Sequence, residues 1–289
     1  MFSSMDFPNL TVFSDDRFLP FNKARLCMLD QAFIYGDGLC ETMRAYGGRI
    51  FKLQDHLDRL LIAADFLSLD LFYSREELED ILHQLLHRNS LLEACLRITI
   101  RNHEVPSDGS RETRTIAVAL PFEENMESLQ ESGIELSTIR IVKGNNGSND
   151  AGRLHPFLES FFALIGRLNG KIREGLLLDE GNIVSDGDVS NIFGIRRRKI
   201  ITPALEPGVF PEVLRQTIME IARDKGLNVR EATVTLRDLI KMEEVFLVSA
   251  RYEVLPVIRL EEHVIGDGTP GGVTRDIQKT FQRLISEPA

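Results

Sequence analysis

His83 and His87 stand four residues apart in a stretch of helical periodicity, the spacing that turns two imidazoles toward one metal ion. Glutamate is absent from the intervening Gln-Leu-Leu and no third ligand lies near, so no metal centre is expected. The glycine-rich run GDGTPGG, Gly266 to Gly272, neither joins a strand to a helix in dinucleotide-binding order nor carries a phosphate-loop lysine, and it reads as a turn. The basic run Arg196, Arg197, Arg198 and Lys199 falls between two apolar segments, where a hairpin tip puts it in water. Cys40 sits beside Glu41 in a strand-like segment, but no histidine pattern supplies a base for a thiolate, so it is expected to pack as a small apolar side chain. Gly-x-Ser-x-Gly does not occur, which weighs against serine-hydrolase chemistry.

These residues must be held by a folded chain of ordinary composition. Its 289 residues are 43% hydrophobic and 27% charged, enough for one large domain or two medium ones, and unlike disordered or low-complexity sequences. Acidic residues outnumber basic ones by 44 to 34, and the net charge of -10 opposes attraction to a nucleic-acid backbone. The three cysteines, Cys27, Cys40 and Cys95, show no paired spacing, which fits a reducing cytoplasm. The N-terminus lacks a basic start followed by an apolar run. No stretch approaches the roughly 20 apolar residues that span a bilayer, so neither export nor membrane insertion is expected.

Short apolar or alternating runs predict strands at Leu10 to Phe13, Thr42 to Tyr46, Leu96 to Arg101 and Thr115 to Leu120. Between them, Leu53, Leu57, Leu60, Leu61 and Ala64, and then Leu78, Ile81, Leu82, Leu85 and Leu86, keep helical spacing and mark two buried helix faces. The acidic stretch from Pro121 to Gly133 reads as an exposed connection, which divides the chain into a domain over 1–120, a linker over 121–133 and a second domain over 134–289. The second half predicts a strand from Ile134 to Val142, a turn-rich loop, and a helix through Leu154, Phe157, Leu158, Phe161, Phe162, Ile165 and Leu168. Two strands around a turn follow in GLLLDEGNIVSDGDVSNIFGI, then a helix from Pro211 to Lys225, strands at Glu244 to Val248 and Leu255 to Leu260, and a helix after Thr274. The class is α+β.

The stretch FIYGDGLCETMRAYGGRIFKLQDHLDRL, Phe33 to Leu60, resembles the N-terminal signature of the fold-type IV pyridoxal-phosphate enzymes, the class IV aminotransferases. That family includes branched-chain and D-amino-acid aminotransferases and 4-amino-4-deoxychorismate lyase. The likeness continues in order through LLLDEGNIVSDGDVSNIFGI, IITPALEPGVFPEVLRQTI, VSARYEVLPV and IGDGTPGGVT. It implies a two-domain fold with the cofactor cleft between the domains, a homodimer, pyridoxal 5'-phosphate as cofactor, and an amino acid or 2-oxo acid as substrate. It also implies that Arg59 holds the cofactor phosphate, a role suited to a planar guanidinium. By the same likeness Asp186 faces the pyridine nitrogen where most members carry Glu, Tyr35 and Arg44 line the pocket, and Arg97 occupies a position that meets a substrate carboxylate in some members.

Two departures bear on catalysis. Laying the family pattern on LHPFLESFFAL in its apolar phase puts Arg153 where members carry the lysine that bonds to the cofactor, and a guanidinium is not a usable imine-forming nucleophile. Lys143 and Lys171 flank the segment, and either needs a rearranged site to substitute. On the phosphate side, Arg215 is a further cofactor-binding position by the resemblance, but Glu212, Val213 and Leu214 precede it where the family has a small Gly-Ile-Thr-like turn, and the Glu212 carboxylate competes with phosphate at a helix N-terminus. Three activities remain: an amino-acid transaminase, an aminodeoxychorismate lyase, and a non-catalytic relative that uses the cleft for ligand binding or for partnering another protein.

Overall fold

The computed structural model describes residues 10–25, 38–104, 111–122, 126–140, 172–179, 181–187, 190–205 and 211–287. The chain divides into two units, Met1–Glu123 and Glu124–Ala289.

Among its described residues the first unit is an antiparallel sheet backed by two helices. Its strands are β1 (Thr11–Ser14), β2 (Arg17–Pro20), β3 (Gly38–Tyr46), β4 (Arg49–Ile50), β5 (Ala94–Glu104) and β6 (Arg111–Pro121), in the order β2-β1-β6-β5-β3-β4. Side chains alternate across a strand, so the row Met43 and Ala45 of β3, Leu96, Ile98 and Ile100 of β5, and Ala117 and Ala119 of β6 faces one way and is buried. Helices α1 (Leu53–Phe66) and α2 (Arg75–Arg88) cover that row with the faces their periodicity marks. Each fully buried leucine there contributes about 2 kcal/mol of transfer free energy. On α1, Leu61 is only partly buried, and His56 takes a buried place among the leucines. Ser74 and Glu77 close a capping box on α2. By contrast α1 begins at Lys52 in a left-handed conformation with no side-chain cap, so packing carries its first turn.

The second unit holds a mixed sheet in the order β12-β11-β10-β13-β14-β7-β8-β9, with β15 paired to β14. Its strands are β7 (Ile134–Arg140), β8 (Ile172–Leu178), β9 (Val184–Gly187), β10 (Asn191–Arg196), β11 (Lys199–Pro203), β12 (Asn228–Ala232), β13 (Glu244–Ser249), β14 (Glu253–Leu260) and β15 (His263–Val264). Its helices are α3 (Met126–Ser132), α4 (Val213–Asp224), α5 (Leu236–Ile240) and α6 (Gly272–Ser286). Strands β11 and β12 pair in parallel through α4, and Phe193 and Phe246 stack in the sheet's buried face at 5.0 Å between ring centroids.

Several sequence expectations change. The acidic stretch is not a bare connection, because it carries α3, whose Gln130 donates to the Tyr252 carbonyl and to Glu253. The segment read as two strands around a turn forms three, β8, β9 and β10. Cys40 is exposed rather than packed, because it falls on the outward phase of β3. The basic run does sit at a hairpin tip: Arg197 and Arg198, both with positive φ, turn β10 into β11. Gly266 and Gly268 take positive φ in the glycine-rich turn before α6. Glu244 of β13 caps that helix by accepting from the amides of Val273 and Thr274 at 3.0 and 2.7 Å. Gly271 leaves the room, since a Cβ there would lie 2.0 Å from the Glu244 carboxyl carbon. The predicted helix from Leu154 to Leu168 lies outside the described residues.

Candidate functional site

In the first unit the polar centre is built on β3. The inward phase of that strand carries Glu41 ahead of Met43 and Ala45, so a carboxylate enters a row that is otherwise apolar, and it is only 4% exposed. A carboxylate without partners in such a place costs several kcal/mol. Helix α1 supplies them. His56 and Arg59, three residues apart on one helix face, both reach Glu41: His56 Nδ1 lies 2.6 Å from Oε1, and Arg59 Nη1 donates to Oε2. An ionised carboxylate only accepts, so this contact is a hydrogen bond in the form of the ring that carries a proton on Nδ1. The His56 side chain is buried, while Arg59 keeps 27% of its side-chain surface open. Among the described residues, the buried Arg59 Nε and His56 Nε2 have no hydrogen-bond partner.

The outward face of the same sheet is rich in arginine. Arg44 is buried, with its guanidinium carbon 3.3 Å from the Phe122 ring centroid and 5.0 Å from that of Tyr46. Arg101 and Arg114 both meet Asp15, at 3.5 and 3.3 Å. Arg97 is exposed and its Nη2 donates to Cys40 Sγ at 3.1 Å, with no carboxylate against it among the described residues. Tyr35 lies outside the described residues.

In the second unit Arg215 is fully enclosed. Its Nη1 donates to Thr202 Oγ1 at 2.6 Å, and its Nη2 to the Pro203 carbonyl at 2.9 Å and to Glu231 at 2.5 Å. Thr202 in turn donates to the Ile192 carbonyl at 2.8 Å. One cation therefore ties α4 to β11 and β12 and, through Thr202, to the start of β10. Ser190, Asn191, Ile192 and Phe193 are all buried at that start. Glu212 is the N-cap of α4 and its side chain makes no capping hydrogen bond to the helix. Asp186 lies on β9, and only its backbone position is described. Arg153, Lys143 and Lys171 lie outside the described residues. Glu41 and His56 were not singled out from the sequence. Their signals were a lone carboxylate in the apolar phase of a strand and a histidine in the buried phase of a helix.

Among the described residues no group of three or more His, Cys, Asp or Glu is placed to hold a metal ion, and no helix is long and apolar enough to cross a membrane. His83 and His87 are both exposed on α2.

The chain belongs to the class IV aminotransferase family, whose pattern matches residues 38–260. It is 26% identical over 282 residues to a putative branched-chain-amino-acid aminotransferase of Methanocaldococcus jannaschii, covering 95% of this chain and 96% of that protein. It is 28% identical over 281 residues to a D-alanine aminotransferase of Staphylococcus haemolyticus, covering 95% and 97%. Its fold is that of the branched-chain amino acid aminotransferase of Escherichia coli, with a TM-score of 0.83 at 23% identity over 96% of this chain and 95% of that one. A branched-chain aminotransferase from Thermoproteus uzoniensis, solved with norvaline, superposes with a TM-score of 0.81 at 25% identity over 96% and 94%.

Proposed function

We propose that this protein binds pyridoxal 5'-phosphate, with Arg59 on the phosphate, and that Arg153 at the amine position leaves ordinary transamination very low or absent. The observation that supports cofactor binding is the state of Arg59: one end of the guanidinium is pinned by Glu41, part of the side chain is open, and a buried Nε is without a partner among the described residues. That donor set fits a phosphate monoester. When bound, the cofactor supplies a protonated pyridine ring that withdraws electrons from the substrate α-carbon.

This chain's own residues do the rest. Arg59 binds the phosphate, and Asp186 holds the proton on the ring nitrogen. Arg97, exposed and unmatched by a carboxylate among the described residues, meets the carboxylate of an amino acid or 2-oxo acid. Arg44 and Tyr35 shape the pocket around it. Arg215 holds the first turn of α4 and the start of β10 in place. The relatives include enzymes named for branched-chain amino acids and for D-alanine, so their names leave the stereochemistry of the substrate open. Transaminase and aminodeoxychorismate lyase are the reaction types in view, and a cytoplasmic homodimer is the assembly.

A second reading is favoured by Arg153 itself: a non-catalytic relative that uses the same site for ligand binding or for partnering another protein. Without an amine at that position, the residue that in the family carries the proton between substrate and cofactor carbons is missing. Cofactor titration tests the main reading. Arg59→Ala should weaken pyridoxal phosphate binding by about 1.5 to 3 kcal/mol, the scale of a hydrogen bond to a charged group. Equal affinities of wild type and variant would remove Arg59 from the site.

A further inference from the structure

We infer that Glu41 is a positioning residue for the cofactor phosphate: it fixes the Arg59 guanidinium for a phosphate monoester, and His56 in turn fixes Glu41. The inference rests on the reading of Arg59 given above and goes beyond it, because it assigns the phosphate affinity to a three-residue unit, two of whose members are buried, rather than to one arginine. The geometry carries it. Glu41 is 4% exposed and uses both carboxylate oxygens, Oε1 toward His56 Nδ1 at 2.6 Å and Oε2 toward Arg59 Nη1. His56 and Arg59 come from one helix and Glu41 from the strand beneath it, so the clamp joins β3 to α1 at the arginine that must meet the ligand.

A carboxylate beside a phosphate-binding arginine has two opposed effects. Its charge repels the phosphate and partly cancels the arginine's attraction, which lowers affinity. Its hydrogen bond removes rotamer freedom from a long side chain that phosphate binding would otherwise have to order, which raises affinity. The two separate experimentally, because aspartate keeps the charge and, one methylene shorter, does not span His56 and Arg59 together. The first effect is then nearly unchanged and the second is lost.

The test measures binding of pyridoxamine 5'-phosphate and of pyridoxamine to the full-length chain by calorimetry. Neither ligand carries an aldehyde, so the ratio of the two affinities reports the phosphate contact and does not depend on which residue supplies an amine. Glu41→Asp should lower that ratio about 10-fold, equivalent to about 1.4 kcal/mol, with pyridoxamine affinity held within about twofold. A fall of equal size for both ligands would mean that Glu41 only supports the fold, and an unchanged ratio would mean that it does not position Arg59. Either result overturns the inference. Should Glu41→Asp not fold, His56→Gln leaves the carboxylate in place and removes the ring that orients it; the same ratio must fall, and an unchanged ratio overturns the inference. Arg59→Ala separates the two levels of the argument. If it leaves the ratio at the wild-type value, the phosphate reading of Arg59 fails. If it collapses the ratio while Glu41→Asp does not, only the role of Glu41 fails.

Discussion

Enclosed cations mark where this chain commits its polar interactions. Arg215 shows no surface to solvent and donates to three acceptors on two strands, whereas Glu231, its ionic partner, stays 42% exposed. Removing the guanidinium strips hydrogen bonds from a buried hydroxyl and a carbonyl and empties part of the packing above Phe193. Arg215→Met should therefore destabilise the protein by about 3 kcal/mol in urea unfolding, the scale of breaking a buried polar network. A loss under about 1 kcal/mol would show that the network is incidental. The sequence pointed to Arg215 through its place in a motif but not to its enclosure, because enclosure depends on Thr202, Pro203 and Glu231 arriving from β11 and β12. Glu41 and His56 show the converse. Their residue types stood in plain view, yet nothing local says that a strand glutamate and a helix histidine will meet.

Elements with strong periodicity were legible and those held by distant contacts were not. Helix α2 repeats its apolar face over three turns and carries its own capping box, so its form is written within fourteen residues. Helix α4 is similar, with Val213, Leu214, Thr217, Ile218 and Ile221 buried as their spacing requires. Helix α3 was missed because its seven residues, MESLQES, include one leucine, and its Gln130 reaches Glu253 at the start of β14. Helix α6 has its cap 29 residues upstream in sequence, at Glu244, where no local capping pattern would reveal it. That contact is testable at its own scale. Glu244→Ala removes the acceptor for two amides and the Thr274 hydroxyl and should cost about 2 kcal/mol, the upper end of helix-cap losses. An unchanged urea midpoint would show that solvent replaces the carboxylate freely.

At the scale of the whole molecule, the fold class followed from alternating strand and helix patterns, and the family followed from motifs spread in order along the chain. The same spread explains the limit of a sequence reading. Strand pairings such as β7 with β14 and β11 with β12 join residues far apart, and their order in the sheet depends on packing that no single segment encodes. Under the proposed function this chain differs from an ordinary family member in one respect: the cofactor is held by its phosphate while no lysine is bonded to it. The most direct test is to load the full-length protein with pyridoxal phosphate, reduce with borohydride, and map any modified residue by peptide mass. Noncovalent cofactor, released on denaturation and attached to no lysine, is the predicted result. Cofactor fixed to a lysine, with Lys143 and Lys171 the first to inspect, together with robust transamination, would contradict the account and make this protein a conventional aminotransferase.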